Sequence, residues 1–412
     1  MRQTWRWFGP KDSVSIDHML QAGVEGVVTA LHHLPNGAVW SVDEINKRKQ
    51  DISKTLFGDD SGLTLDVMES LPVSEDIKRQ SNDWRSHIEN YKTSIRNLAK
   101  CGIHIVCYNF MPVIDWTRTE LAHRLPNGAT CMRFDLVDFA VFDIHILNRE
   151  GAISDFTSEI AATAEARYDQ LDKEQISQLV SNVICGLPGT EQGYSLDDLR
   201  SELAQFNSIS AEKLRRHQFD FLEEIIPVAE DCGVRMCCHP DDPPFPLLGL
   251  PRVMSTEADY KTLTETINSP SNGITFCSGS LGAYSGNDLP GMMTRLGSKV
   301  HFMHLRNVKR ETEGDKVSFH EAAHLSGDTN MVSLVQAILD EETSRRELGR
   351  KDWSIPFRPD HGQDILFDLE TNSQPGYPAV GRLKGLAELR GIMMALEASN
   401  QKNIQENIFS RV

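Results

Sequence analysis

Four side chains that could bind a metal ion follow four apolar runs in the second half of the chain. His239 comes after VRMCC, Cys277 after GITF, His304 near the end of VHFMHL, and Asp360 after IPFRP. Two imidazoles, one thiolate and one carboxylate suit a first-row divalent cation, whose charge would help to keep the thiol deprotonated. These residue types at four strand ends predict a metal site.

A structural role is the alternative for each of these four residues taken alone. A single histidine at a strand end is more commonly a hydrogen-bonded surface or core residue, a single buried cysteine an inert thiol, and a single aspartate a helix cap or loop carboxylate. The metal site is favoured because the four residues follow four consecutive predicted strands.

Other polar residues lie near the same strand ends. Side chains alternate along a strand, so Arg306 shares the face of His304, and Arg358 shares the face of Asp360. The inward faces therefore carry two guanidinium groups beside the candidate ligands. Four residues at the ends of earlier strands are further candidates for the pocket wall: His32, His33, Glu69 and Asn109. For each of them, a position outside the pocket is equally expected.

Eight short apolar runs alternate with amphipathic helical stretches, which predicts parallel βαβ units in an α/β fold. Eight strands close a (β/α)₈ barrel, and such barrels keep their active sites at the carboxyl ends of the strands. An open doubly wound sheet is the weaker alternative, because no glycine-rich phosphate loop follows the first strand. The predicted strands are 4–8, 26–31, 64–68, 103–110, 234–238, 273–277, 300–305 and 355–358.

The strand and helix alternation breaks after the fourth strand. From about 113 to 209 the chain shows no clean strand-helix unit, and long segments of this kind are commonly insertions over a functional face. We therefore expect a single barrel domain over residues 1–412 with a large, mostly helical insertion after strand four. The insertion would form a lid or an oligomer surface.

Composition and charge exclude some classes of function. The 412 residues carry a formal net charge of −17, which disfavours nucleic acid as a partner because binding a polyanion needs a basic surface. The sequence has no run long and apolar enough for a membrane helix, and the first ten residues do not resemble a signal peptide. We expect a cytoplasmic protein without a membrane partner, whose eight cysteines are not a disulfide framework.

Several long motifs resemble those of one enzyme family. The runs TWRWFGP, YNFMPVIDWTRT, CCHPDDPP, GITFCSGSLG, HFMHLRNV, FRPDHG and PGYPAVGR are similar to mannonate dehydratase of hexuronate catabolism, which takes part in glucuronate degradation. The similarity runs from the first strand to the last helix. It implies a xylose-isomerase-like barrel that binds Mn(II) or Fe(II) and converts D-mannonate to 2-keto-3-deoxy-D-gluconate.

The resemblance also implies roles for individual residues. The family's metal ligands fall on His239, Cys277, His304 and Asp360, and its acid-base pair falls on His361 and Tyr377. Dehydration removes a proton from carbon 2 and a hydroxide from carbon 3, and a metal would act as Lewis acid and template. Either Arg306 or Arg358 would hold the substrate carboxylate, since a guanidinium pairs with it bidentately. The order of acid and base and the native metal are left open.

Three other functions are alternatives to this one. Another metal-dependent sugar isomerase or epimerase on the same barrel is the nearest alternative, and it would favour neutral sugars. A metal-dependent endonuclease fits poorly with the acidic charge. A sugar-acid sensor without activity would keep the pocket but lose His361 and Tyr377, and both are present. We further expect a homo-oligomer, with a dimer as the leading case.

Overall fold

A computed structural model of the chain describes residues 1–184 and 195–409. Twelve strands are present in these ranges: β1 (Arg2–Arg6), β2 (Gly26–Thr29), β3 (Thr64–Glu69), β4 (Ile105–Tyr108), β5 (Glu120–Arg124), β6 (Thr130–Phe134), β7 (Arg235–Cys238), β8 (Asn272–Cys277), β9 (Val300–Leu305), β10 (Asn307–Arg310), β11 (Phe319–Ala322) and β12 (Pro356–Pro359).

The α-helices alternate with the strands of the barrel and also form much of the insertion. In chain order they are α1 (Ile16–Gln21), α2 (Val42–Ile52), α3 (Glu75–Arg79), α4 (Trp84–Lys100), α5 (Leu136–Ala140), α6 (Ser158–Tyr168), α7 (Lys173–Ile184), α8 (Leu196–Ala204), α9 (Ala211–Cys232), α10 (Glu257–Thr266), α11 (Ser278–Gly282), α12 (Leu289–Leu296), α13 (Met331–Glu347) and α14 (Ala379–Phe409).

Eight of the strands form a closed parallel barrel in the order β1-β12-β9-β8-β7-β4-β3-β2. This confirms the predicted (β/α)₈ fold. The predicted boundaries differ by a few residues at the ends; for example, β4 covers only 105–108 of the expected 103–110. Beyond Tyr108 the chain leaves the ladder, and Asn109 instead hydrogen-bonds to a loop carboxylate.

Apolar side chains fill two separate layers of the barrel. Residues on the outward faces pack against the helices in one large core, which includes Met236 and Ile274 from the strands and Ile95 from α4. A smaller cluster joins alternate residues of five strands and fills the inside: Val28, Val67, Ile105, Cys107, Cys237 and Phe302. This alternation directs polar residues at the strand ends into the mouth.

Local hydrogen bonds explain where several helices begin. The hydroxyl of Ser15 accepts from the backbone N–H of His18, that of Ser41 from Glu44, and that of Ser210 from Lys213. At Thr256 the capping box is complete, because Asp259 also accepts from the backbone N–H of Thr256. These caps satisfy amides that have no partner inside the helix.

A second, antiparallel sheet lies at the carboxyl end of the barrel. Its order is β10-β11-β6-β5, so it combines a hairpin of the insertion with a hairpin that directly follows β9. Neither hairpin was predicted from the sequence, which indicated a mostly helical segment at 113–209. The strands are short and largely polar; β5 reads ELAHR and none of its residues is fully buried. Such strands lack the apolar run by which the barrel strands were recognised.

Among the helices of residues 1–184 and 195–409, none combines the length and apolar character needed to cross a membrane.

Candidate active site

A narrow cavity opens at the carboxyl end of the barrel strands. Residues at or just beyond the carboxyl ends of β3, β4, β7, β9 and β12 contribute to its wall, together with residues of the insertion. Eight of the twelve residues named from the sequence as site candidates line it: Glu69, Asn109, His239, His304, Arg358, Asp360, His361 and Tyr377. Cys277 and Arg306 are fully buried immediately behind this wall.

The candidate metal ligands come together at the bottom of this cavity. One ligand atom from each of His239, Cys277 and His304 lies within 4.8 Å of the other two. His239 Nε2 is 3.1 Å from His304 Nδ1, and the Asp360 carboxylate lies 3.7 Å from Cys277 Sγ. The parallel register places Cys277 opposite His304, which brings two of these residues to the same level of the barrel.

The protonation states of these groups suit a cation site. Burial opposes ionisation of Cys277, but the charge of Arg306 and hydrogen bonds from the two histidines hold its pKa well below the usual value. Burial also opposes protonation of His239, and the adjacent Cys277 outweighs it and raises the pKa of His239 to about 10. These pKa shifts correspond to a Cys277 thiolate beside a His239 imidazolium, and a metal ion would replace the proton of that imidazolium.

One unpartnered atom also fits a metal ion. His304 Nε2 is buried and has no hydrogen-bond partner in residues 1–184 and 195–409, although it lies 3.5 Å from Glu69 Oε2. Buried ring nitrogens are normally hydrogen-bonded or bound to a metal. A thiolate, two imidazoles and a carboxylate form a mixed S/N/O donor set typical of first-row divalent ions, so these residues fit such a group.

The acid-base candidates lie side by side above the ligands. The rings of His361 and Tyr377 are 5.0 Å apart in an edge-to-face arrangement. His361 Nδ1 is 2.6 Å from Arg306 Nη1 and 3.0 Å from Glu321 Oε1, so that side of the imidazole is held by protein groups. Burial raises the pKa of Tyr377, which keeps the phenol protonated at neutral pH.

Both candidate arginines are engaged by carboxylates. Arg358 donates to Glu69 in a bidentate pair of 2.8 and 3.1 Å and also contacts Asp360. Arg306 Nη2 donates to Asp242 at 2.5 Å, and its Nη1 contacts Glu321. These contacts hold the guanidinium groups in fixed orientations.

The structure does not bring His33 to the cavity. Its side chain is exposed and its Nε2 is 2.7 Å from Glu44 Oε2, in a separate open groove. His32 is largely buried, lies 2.9 Å from Arg6 Nη2 and stacks on Phe8. Because β2 ends at Thr29, both histidines belong to the loop after the strand, and their positions depend on the path of that loop.

Four residues at the site were not singled out from the sequence. Asp115 and Trp116 of the insertion and Asp242 after β7 line the cavity, and Glu321 of β11 contacts His361. Asp242 lies in the CCHPDDPP motif, from which only His239 is a candidate in the sequence analysis. Glu321 carried no signal, because its short strand was itself not recognised.

Arg118 links the insertion to this charged cluster. It is fully buried and donates to Asp242 at 2.8 and 3.1 Å and to Glu321 at 3.0 Å. We expect Arg118→Met to lower the free energy of unfolding by about 3 kcal/mol, near the lower limit for breaking a buried ion pair, because Arg306 still compensates both carboxylates. Urea denaturation measures this change.

Arg124→Met provides the matched control, since Arg124 is an exposed arginine of β5, the strand that follows Arg118. It should change the free energy of unfolding by no more than about 0.5 kcal/mol. Equal effects of the two substitutions would contradict a stabilising role of the buried cluster.

Comparisons with known proteins agree with the fold and with the motifs. The D-mannonate dehydratase (UxuA) family model matches residues 1–403. The chain is 52% identical over 396 residues to the mannonate dehydratase of Rhizobium meliloti (strain 1021), covering 96% of this chain and 97% of that protein. It is 51% identical over 396 residues to mannonate dehydratase 1 of Agrobacterium fabrum, with the same coverage of both proteins.

A solved structure extends the similarity to three dimensions. The crystal structure of mannonate dehydratase from Streptococcus suis serotype 2 matches with a TM-score of 0.73 and 32% identity, over 97% of this chain and 95% of that chain. The resemblance inferred from the motifs is thereby confirmed. The chain belongs to the D-mannonate dehydratase family of hydro-lyases.

Proposed function

We propose that this enzyme removes water from D-mannonate to give 2-keto-3-deoxy-D-gluconate, with Mn(II) or Fe(II) bound by His239, Cys277, His304 and Asp360. The observation that carries the proposal is the convergence of three ligand atoms within 4.8 Å beside His361 and Tyr377. Family membership supports the substrate, and the mixed sulfur, nitrogen and oxygen donor set supports the choice of metal.

The bound ion would supply Lewis-acid stabilisation of negative charge on substrate oxygen. His361 is the proposed base that takes the proton from carbon 2. Its Nδ1 is held by Arg306 and Glu321, while its Nε2 makes no hydrogen bond within the described residues. That nitrogen is therefore the one available to the substrate.

Tyr377 is the proposed acid. Its buried phenol keeps its proton and can donate it to the hydroxyl that leaves carbon 3, which departs as water. Loss of the carbon 2 proton and of this hydroxyl leaves an enol, which tautomerises to the 2-keto acid. Trp116 and Phe8 pack near the His361 and Tyr377 rings and limit the access of solvent to the reacting groups.

Either Arg306 or Arg358 is proposed to contact the substrate carboxylate. Arg358 lines the cavity, whereas Arg306 lies behind its wall, so Arg358 is the more accessible of the two. The assembly of this enzyme as a homodimer and its cytoplasmic location remain predictions from the sequence.

Metal replacement tests the proposal directly. Chelator-stripped protein is incubated with D-mannonate and Mn(II), with Fe(II) under anaerobic conditions, with Mg(II), or with no metal, and the 2-keto-3-deoxy acid is assayed. We expect product with Mn(II) or Fe(II) and little with Mg(II), which prefers oxygen ligands and binds thiolate and imidazole poorly.

Two outcomes would contradict the proposal. Full turnover in the metal-free protein would exclude the metal dependence. Conversion of D-mannonate to an isomer without loss of water, or turnover of neutral sugars in its place, would instead indicate an isomerase or epimerase.

A further inference from the structure

A second concave surface lies at the opposite end of the barrel from the candidate active site. This groove, of about 790 Å³, is lined by residues at the amino-terminal ends of β7, β8, β9 and β12. Arg235, Lys299, His301, Arg350 and Asp352 belong to its wall. None of the proposed catalytic steps uses these residues.

The groove is more basic than the chain as a whole. Its wall contains Arg235, Lys299 and Arg350 against Glu230 and Asp352, in a protein with a net charge of −17. Asp352 is shared, because Arg235 Nη1 and Arg350 Nη2 each lie 2.8 Å from its Oδ2. Arg345 Nη1 also lies 3.7 Å from this oxygen, so one carboxylate serves three guanidinium groups.

Lys299 has no carboxylate partner among the described residues. Its Nζ donates only to neutral acceptors, Asn268 Oδ1 at 3.1 Å and the Ser269 carbonyl at 3.2 Å. Burial and the charge of Arg350 both lower the pKa of Lys299. Its surroundings thus lack the negative charge that would stabilise an ammonium group.

His301 is the second feature of the groove that points to a ligand. His301 is only 4% exposed, and neither ring nitrogen has a hydrogen-bond partner within the part of the chain that the structure describes. The ring packs closely on Gly273, where an added Cβ would lie 2.3 Å from Cδ2. Burial lowers the pKa of His301, and Arg235 and Arg345 lower it further, so the ring is neutral in a positive field.

A neutral imidazole carries one N–H donor, and leaving that donor unpaired in a buried position is unfavourable. An oxyanion in the groove would accept from His301 and would pair with Lys299. The groove is also larger than one inorganic anion requires, since sites for small organic molecules measure about 300–1,000 Å³. Both features fit an anionic group attached to a small polar body.

We propose that this groove binds a small phosphorylated metabolite, a phosphate monoester, with its phosphate against Lys299, Arg235 and His301. The site is separate from the one that binds the sugar acid and does not depend on its assignment. Phosphate binds to such groups through charge-assisted hydrogen bonds, which are stronger than those between neutral partners.

Isothermal titration of the metal-loaded enzyme tests this site. Glucose 6-phosphate, inorganic phosphate and glucose are the three ligands, at constant ionic strength. We expect both phosphates to bind, the monoester more tightly, and glucose not to bind. Lys299→Gln should weaken the binding of both phosphates about tenfold or more, because a charge-assisted contact is lost, and Lys299→Arg should restore most of it.

Lys261→Gln is the matched control, because Lys261 is an exposed lysine on α10 outside the groove. It should bind both phosphates as the unaltered enzyme does, and melting curves without phosphate verify that each variant is folded. Absence of binding, equal affinity in Lys299→Gln, or competition between glucose 6-phosphate and D-mannonate would overturn the proposal. Binding of inorganic phosphate alone would overturn the assignment of a monoester.

Discussion

Replacing His361 with asparagine is expected to lower kcat by about 10²- to 10⁴-fold, the usual contribution of a positioned general base. Asparagine is close in size and can still contact Arg306, but it cannot take up a proton. Because His361 is not among the proposed ligands, the variant should keep its full complement of metal. Steady-state kinetics with D-mannonate and elemental analysis of the same sample measure the two quantities.

His320→Asn is the control for this substitution. His320 lies on β11, next to Glu321, and its Nδ1 pairs with Glu311 at 2.8 Å outside the cavity. This variant should keep turnover close to that of the unaltered enzyme. Wild-type turnover in His361→Asn with metal still bound would show that another group removes the proton.

Cys277→Ser is expected to abolish tight metal binding and, with it, turnover. Serine is nearly isosteric, but its hydroxyl does not ionise under conditions in which the Cys277 thiol is a thiolate. The loss of affinity should exceed the roughly 10- to 100-fold that follows removal of a hydrogen-bond partner of a ligand. Metal content after dialysis against a competing chelator gives the affinity.

Cys107→Ser provides the comparison with a second buried thiol. Cys107 also reaches the cavity, but its Sγ accepts a hydrogen bond from Thr275 at 3.2 Å and lies outside the ligand cluster. Its replacement should leave metal affinity unchanged. If Cys277→Ser bound Mn(II) or Fe(II) as tightly as Cys107→Ser, the thiolate ligand would be excluded.

The barrel could be predicted because its signals are local. Short apolar runs such as those of β8 and β9 end in polar residues, and the intervening helices begin with side chains such as Ser210 and Thr256 that cap them. Each signal spans fewer than about ten residues and reflects burial or capping of that segment alone. Eight consecutive strand-helix units can then form only a few topologies, because parallel strands are joined by right-handed crossover connections.

The convergence of His239, Cys277 and His304 also followed from local patterns. Parallel strands bring their carboxyl ends to one edge, so residues at equivalent strand ends meet without knowledge of the packing. The same rule was insufficient for His33. That residue lies four positions beyond the end of β2, where the path of the loop decides its direction.

Contacts between distant segments decided the remainder of the site. Glu321 reaches His361 only because β11 pairs with β6, which joins a hairpin of the insertion to one that follows β9. Arg118 is buried because Asp242 and Glu321 surround it. Pairing of short polar strands depends on their partners, and a single stretch of sequence does not contain that information.

The sequence by itself therefore determined the barrel, its family and the strand ends that carry the proposed ligands, since burial patterns and unusual motifs are properties of individual segments. Only the tertiary structure decided which charged groups hold His361 and Arg306, that His33 lies outside the cavity, and that a basic groove lined by the buried His301 exists at the other end. These features depend on contacts between residues far apart in the chain, where packing and desolvation set the position and charge of each group.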